Sequence, residues 1–102
     1  ERILDVPGID ALYVGPSDLS LTLNLPPGLD NGGAYEEARL RVARMCNERG
    51  VVAGIHAEAP LTRKHASAGF KMITVSVDFK ALITAADADL LMARDHLGLA
   101  AN

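Results

Sequence analysis

Cysteine is almost missing from this chain of 102 residues, which carries one, Cys46. A single thiol excludes an internal disulfide and any zinc cluster built on several thiolates. A reducing cytoplasm is the simplest compartment for such a sequence. Tryptophan is absent and aromatics make up 4% of the chain, so a core has to be aliphatic. The longest apolar runs are about five residues, far short of the ~20 that a membrane-spanning helix needs. No stretch within these residues reads as a secretory leader or a lipidation motif. Excess positive charge is lacking too: 10 Lys and Arg are interleaved with 13 Asp and Glu, for a net charge of −3. That leaves no electrostatic footprint for nucleic acid.

What is present suits a single globular domain, with 49% hydrophobic and 23% charged residues. Three short apolar runs recur: Ala11-Leu12-Tyr13-Val14, Val51-Val52-Ala53-Gly54-Ile55, and Met72-Ile73-Thr74-Val75-Ser76-Val77. Such runs fit strands buried in a parallel sheet. Helical patterns lie between them. One runs from about Ala34 to Arg49, with Tyr35, Ala38, Val42, Met45 and Cys46 on one stripe. A second runs from about Pro60 to Ala68, and a third from about Phe79 to His96, with Leu82, Ala85, Ala86, Leu90 and Ala93 as its stripe. Gly50, Gly69 and Gly98 stop the three. The stretch from Thr22 to Gly33, with Pro26-Pro27-Gly28 and Asn31-Gly32-Gly33, reads as a loop long enough to be functional or mobile. Alternating strands and helices predict right-handed βαβ crossovers, in a small open sheet or in part of an eight-stranded barrel. Glu1-Arg2-Ile3-Leu4, ahead of Val6-Pro7-Gly8, reads as the last turn of a helix already under way. The expectation is a chain cut from within an α/β protein.

Sites in parallel α/β folds gather at the carboxyl ends of strands. The first run ends at Val14, Gly15-Pro16 turns the chain, and Ser17-Asp18 open a helical turn. Amides at such a start bind anions, and a carboxylate beside them suits a hard divalent cation. The competing reading, which pattern alone favours, is that Ser17 or Asp18 caps the helix. His56 follows the second run and is expected at the same end of the sheet, as a hydrogen-bond donor, an acid or base, or a loop-bound imidazole. Asp78 closes the third run and reads as a cap for the last helix. Val14, Val52, Ile73 and Val75 are expected as inward-facing, partly exposed side chains. His65 and His96 read as solvated surface, and Cys46 as inert packing.

The stretch Val6-Pro7-Gly8-Ile9-Asp10-Ala11-Leu12-Tyr13-Val14-Gly15-Pro16-Ser17-Asp18-Leu19-Ser20 resembles the HpcH/HpaI aldolase family, metal-dependent class II pyruvate aldolases. Ala53-Gly54-Ile55 and the segment from Ala68 to Asp78 resemble later strands of that family, in the same order. The resemblance implies an α/β chain forming the C-terminal three βα units of a TIM (β/α)8 barrel with parallel strands, with residues 1–102 as one fragment of that domain. It implies aldol cleavage of a 4-hydroxy-2-oxo acid to pyruvate and an aldehyde. Asp18 matches the family's aspartate ligand to Mg²⁺ or Mn²⁺, with the second protein ligand outside this chain. Gly15, Pro16, Ser17, Asp18 and His56 match the substrate-binding positions, and the amides of Ser17 and Asp18 match the cradle of the pyruvate carboxylate. His56 stands where some relatives carry an apolar residue. The family's base and electrophile match nothing here, so no catalytic residue is assigned and the isolated chain is expected to be inactive. The implied setting is cytoplasmic and homo-oligomeric, without nucleic acid or membrane. A citrate lyase β-type lyase of CoA esters and a non-catalytic association module are the alternatives. The outer strands of three βα units have open edges, so self-association is expected.

Overall fold

The computed structural model describes residues 2–99. Strand β1 (Ala11–Val14) is followed by helices α1 (Pro16–Thr22) and α2 (Ala34–Glu48). Strand β2 (Val52–Ile55), a 3₁₀ turn (Ala59–Leu61) and helix α3 (Thr62–Ser67) come next. Strand β3 (Met72–Ile73) and helix α4 (Asp78–His96) complete the order. The sheet runs β1-β2-β3, parallel throughout, with Tyr13 opposite Gly54 and Ile55 opposite Ile73. This is the βαβ arrangement that the alternating pattern predicts.

Strand alternation divides the sheet into two faces. Val14, Ala53 and Ile55 turn towards the helices and pack with Ala43, Met45, Cys46, Val51 and Phe70, a mainly aliphatic cluster. Tyr13, Gly54 and Met72 lie on the other, open face. Val14 is therefore buried, at 7% exposure, contrary to the expectation of an inward-facing side chain. Val75, at 53%, is exposed as expected.

The third strand is much shorter than the run from Met72 to Val77. The amide of Lys71 bonds Ala53 O and that of Thr74 bonds Ile55 O, both on β2. Beyond Ile55 that strand is over, so Val75, Ser76 and Val77 have no ladder to join. The region from Pro60 to Ala68 divides into the 3₁₀ turn and α3, with Gly69 at φ +99° beyond it. Residues 2–5 form turns, with the amide of Val6 on Ile3 O; Glu1, which belongs to the expected helix end, lies outside the described residues.

The stretch between α1 and α2 is pinned. Asn31 Nδ2 donates to Ser20 Oγ (2.9 Å) and to Pro26 O (2.8 Å), and Tyr35 Oη donates to Leu29 O. Lys64 Nζ pairs with Asp30 at 2.6 Å.

His65 was expected at the surface, yet it is fully buried. Arg39 of α2, 1% exposed, donates from Nη1 to His65 Nδ1 at 3.2 Å and pairs with Glu36 through Nε and Nη2. Phe70 meets His65 edge-on and lies under the Arg39 guanidinium, 5.8 Å from its ring centre. A charged and an aromatic residue thus take core positions between α2 and α3. Burial, and then the Arg39 charge, push the His65 pKa below its ordinary value.

Helix α4 has its predicted length and no buried residue. Leu82 and Leu90 are 71% and 50% exposed. The chain measures 61 × 27 × 21 Å, with a radius of gyration of 18.3 Å, against about 13 Å for a compact chain of this length. Its surface is 7019 Å², where a compact fold of this mass has roughly 5,500 Å². The apolar stripe of α4 is therefore unmatched within the chain.

Candidate active site

At the carboxyl end of β1, Gly15 is the N-cap of α1 and Pro16 takes its first turn, where a missing N–H costs least. No side chain caps this helix, so neither Ser17 nor Asp18 serves as the cap. Ser17 follows Pro16, and Asp18, also in the first turn, is exposed. The amides of Ser17 and Asp18 have no carbonyl four residues back within the helix to pair with. Ser20 Oγ donates to Pro16 O at 2.7 Å and Thr22 Oγ1 to Asp18 O at 2.9 Å, which tightens the short helix from inside. A Cβ on Gly15 would sit 3.0 Å from Asp18 Oδ2, so the glycine lets the carboxylate fold back over the turn.

His56 lies next to this turn because the β1-β2 ladder runs one step past the strands: its amide bonds Val14 O at 3.0 Å. Tyr13, Gly15, Pro16, Ser17, Asp18 and His56 line one open cleft. The topology thus brings together all five residues that the sequence reading singled out for binding. Asp78 is not among the cleft's lining residues. It is the first residue of α4, whose N-cap is Val77, and its Oδ1 accepts the amide of Phe79 at 2.7 Å.

Two further residues escaped the reading of the sequence. Tyr13 reaches from β1 across Gly54, and its hydroxyl hydrogen-bonds Thr74 Oγ1, 2.5 Å away, and lies 3.4 Å from His56 Nδ1. The available signal was a hydroxyl in each of two apolar runs, at positions that share the face of Gly54.

Among the described residues, no three His, Cys, Asp or Glu side chains cluster so as to hold a metal ion. The one carboxylate in the cleft, Asp18, is open and offers the oxygen donor that Mg²⁺ or Mn²⁺ prefers. It fits as one ligand of such a site and does not make a site alone. No described helix is long and apolar enough to cross a membrane.

No family model matches the chain. Among curated proteins it is 36% identical over 95 residues to a 2-keto-3-deoxy-L-rhamnonate aldolase of Shigella dysenteriae, covering 90% of this chain and 34% of that protein. It is 33% identical over 79 residues to a hydroxypyruvate/pyruvate aldolase of Paraburkholderia phytofirmans, covering 76% of this chain and 30% of that protein. A crystal structure of an HpcH/HpaI aldolase/citrate lyase family protein from Burkholderia cenocepacia superposes with a TM-score of 0.82 at 35% identity, over 91% of this chain and 36% of the other. An HpcH/HpaI aldolase from Desulfitobacterium hafniense gives 0.78 at 31% identity, over 90% and 36%. The chain spans about a third of the length of the relatives it matches.

Proposed function

We propose that this chain, a homologue of the HpcH/HpaI aldolases over most of its length, is the C-terminal three βα units of a pyruvate aldolase barrel. Its role there is to supply one metal ligand and part of the keto-acid site. The observation that carries this reading is the cleft itself. An open carboxylate, Asp18, the first-turn amides of Ser17 and Asp18, and the His56 imidazole meet at the carboxyl end of a parallel sheet.

The reaction is cleavage of the C3–C4 bond of a 4-hydroxy-2-oxo acid, giving pyruvate and an aldehyde. Asp18 would hold a divalent cation together with a ligand from an earlier strand. Such a cation supplies Lewis acidity towards the developing enolate charge. The amides of Ser17 and Asp18 donate to the keto-acid carboxylate, and they need no reorganisation to do so because the turn fixes them. Gly15 and Pro16 shape that turn. His56 borders the cleft and offers an imidazole hydrogen bond to the substrate. The base that takes the hydroxyl proton belongs to earlier strands.

The experiment is to complete the barrel with the preceding two-thirds of the Shigella relative and to follow pyruvate release with Mg²⁺ or Mn²⁺. Metal-dependent release that Asp18→Ala abolishes, with an unchanged circular dichroism spectrum, is the expected result. Near-normal turnover in Asp18→Ala would reject the assignment of Asp18.

A further inference from the structure

We propose that Tyr13, braced by Thr74, is a positioning residue that fixes His56 as its Nε2–H tautomer, so that the cleft presents a neutral N–H donor to an acceptor oxygen of the bound keto acid or aldehyde. The tautomer argument stands on the geometry of this chain. The identity of the acceptor rests on the aldolase reading above.

The register places Tyr13 opposite Gly54 and Gly54 opposite Met72, all on the open face of the sheet. A Cβ on Gly54 would lie 3.0 Å from Tyr13 Cδ2, so the missing side chain is what lets the phenol lie across β2. The ring spans to Thr74, just past β3, which the amide bond to Ile55 O holds in place. Three strand ends thus contribute one polar group each: Tyr13, His56 and Thr74.

Of the arrangements that serve both contacts, two also use the Tyr13 proton within the group. In one, Thr74 donates to the Tyr13 oxygen, the Tyr13 hydroxyl donates to His56 Nδ1, and the imidazole proton sits on Nε2. In the other, His56 Nδ1–H donates to Tyr13, Tyr13 donates to Thr74, and Nε2 carries a lone pair. A phenol is a stronger acid than an aliphatic alcohol, and a neutral imidazole nitrogen is a better acceptor than a hydroxyl oxygen. The best donor and the best acceptor of the three groups pair in the first arrangement, and we assign it on that ground, although the Tyr13–His56 contact, at 3.4 Å, is the looser of the two and the Tyr13–Thr74 contact, at 2.5 Å, the tighter. With Nδ1 occupied by the phenol, Nε2–H is left for a ligand, and carboxylate or carbonyl oxygens accept it. A lone pair at Nε2 would instead favour a substrate hydroxyl, so the tautomer decides which part of the substrate His56 can contact.

The test has two arms. In the first, two-bond ¹⁵N–¹H spectra of the histidine rings are recorded on the chain well above the ordinary imidazole pKa of about 6.5, with His56 assigned through His56→Gln. The expected pattern is Nε2–H in the wild type and a loss of that preference in Tyr13→Phe, which keeps the ring and removes only the hydroxyl. Thr74→Val is expected to fall between. An Nδ1–H pattern in the wild type, or one that Tyr13→Phe leaves unchanged, overturns the proposal. In the second arm, the completed barrel carries Tyr13→Phe. A rise in KM of about tenfold, the equivalent of one positioned hydrogen bond, with kcat within about twofold, is expected. A fall in kcat at constant KM contradicts a positioning role in binding. If the completed wild-type barrel releases no pyruvate, the aldolase reading fails, and the ring spectra still decide the tautomer.

Discussion

Replacing Arg39 separates the two jobs of the buried cation between α2 and α3. Its guanidinium bonds Glu36 Oε1 at 2.7 Å and Oε2 at 2.9 Å, and His65 Nδ1 at 3.2 Å. Its exposure is 1%, while Glu36 is 31% exposed. Arg39→Ala removes two buried methylenes, a loss of about 1.6 kcal/mol. It also leaves His65 Nδ1 without a donor, for about 1–2 kcal/mol, in a ring whose Nε2 already has no partner. The contact over Phe70 contributes about 0.5–1 kcal/mol. Water can reach the partly exposed Glu36 carboxylate, so its pairing adds only about 1 kcal/mol. Against these stands the desolvation cost of a buried charge, which the substitution relieves. The net loss is roughly 3 kcal/mol, at the low end for breaking a buried pair. Arg39→Met keeps the packed stem and relieves the same desolvation, so its net loss is about 1 kcal/mol. The two variants should therefore differ by about 2 kcal/mol. With an m-value of about 1 kcal/mol/M in urea for so small a chain, that is a gap of about 2 M between midpoints. Urea titration followed by circular dichroism reads it directly. Coincident midpoints for Ala and Met would refute the claim that the stem of Arg39, and not its charge, provides most of its stabilising effect.

Three further outcomes are expected. His65 has its folded pKa lowered, first by burial and then by Arg39. The unfolded chain therefore binds the proton first, and stability is full above about pH 6.5 and declines as pH falls towards the folded value. Urea midpoints across that range should follow this course and flatten in His65→Leu; a wild type flat in that window would contradict it. In Gly54→Val, a Cβ 2.5 Å from Met72 Cε and 3.0 Å from Tyr13 Cδ2 pushes the Met72 end aside, and the added methyl groups crowd the Tyr13 ring. A loss of about 1–3 kcal/mol and disappearance of the Tyr13–His56 contact in ring spectra are expected, and an unmoved Tyr13 would count against the geometry. Finally, the open sheet edges and the bare apolar stripe of α4 predict that the isolated chain sediments above its monomer mass and releases no pyruvate with Mg²⁺ or Mn²⁺. Sedimentation at the monomer mass would contradict the first half, and pyruvate release the second.

The fold was legible where local chemistry and tertiary context agree. β1 falls on Ala11–Val14 because Gly15-Pro16 ends it, and α2 falls within a residue of its expected span because Gly50, at φ +69°, stops it. Strand partners are not written into a strand's own residues, and so β3 was read too long: its pairing ends with β2, not with its own apolar run. Faces are equally non-local. Val14 and Tyr13 are both compatible with either side of a strand, and only the packing of α2 against β1 and β2 places Val14 in the core. His65 reads as surface from its charged neighbours, and only the fold brings Arg39 Nη1 to its Nδ1 in the core. At the site, Gly15 to Asp18 and His56 could be read because strand ends gather in parallel folds. Tyr13 and Thr74 could not, since their meeting depends on the sheet register and on the space that Gly54 leaves.

Under the proposed function, Asp18 and the turn around it serve the enolisation of a keto acid. Its most direct measurement is deuterium exchange into the methyl group of pyruvate, followed by proton NMR, in a completed barrel with Mg²⁺. This isolates proton transfer at C3 from any question of which aldehyde the enzyme accepts. Metal-dependent exchange is expected in the wild type and its loss in Asp18→Asn, which keeps the size of the side chain and removes the charge. Exchange at the same rate in Asp18→Asn would contradict it.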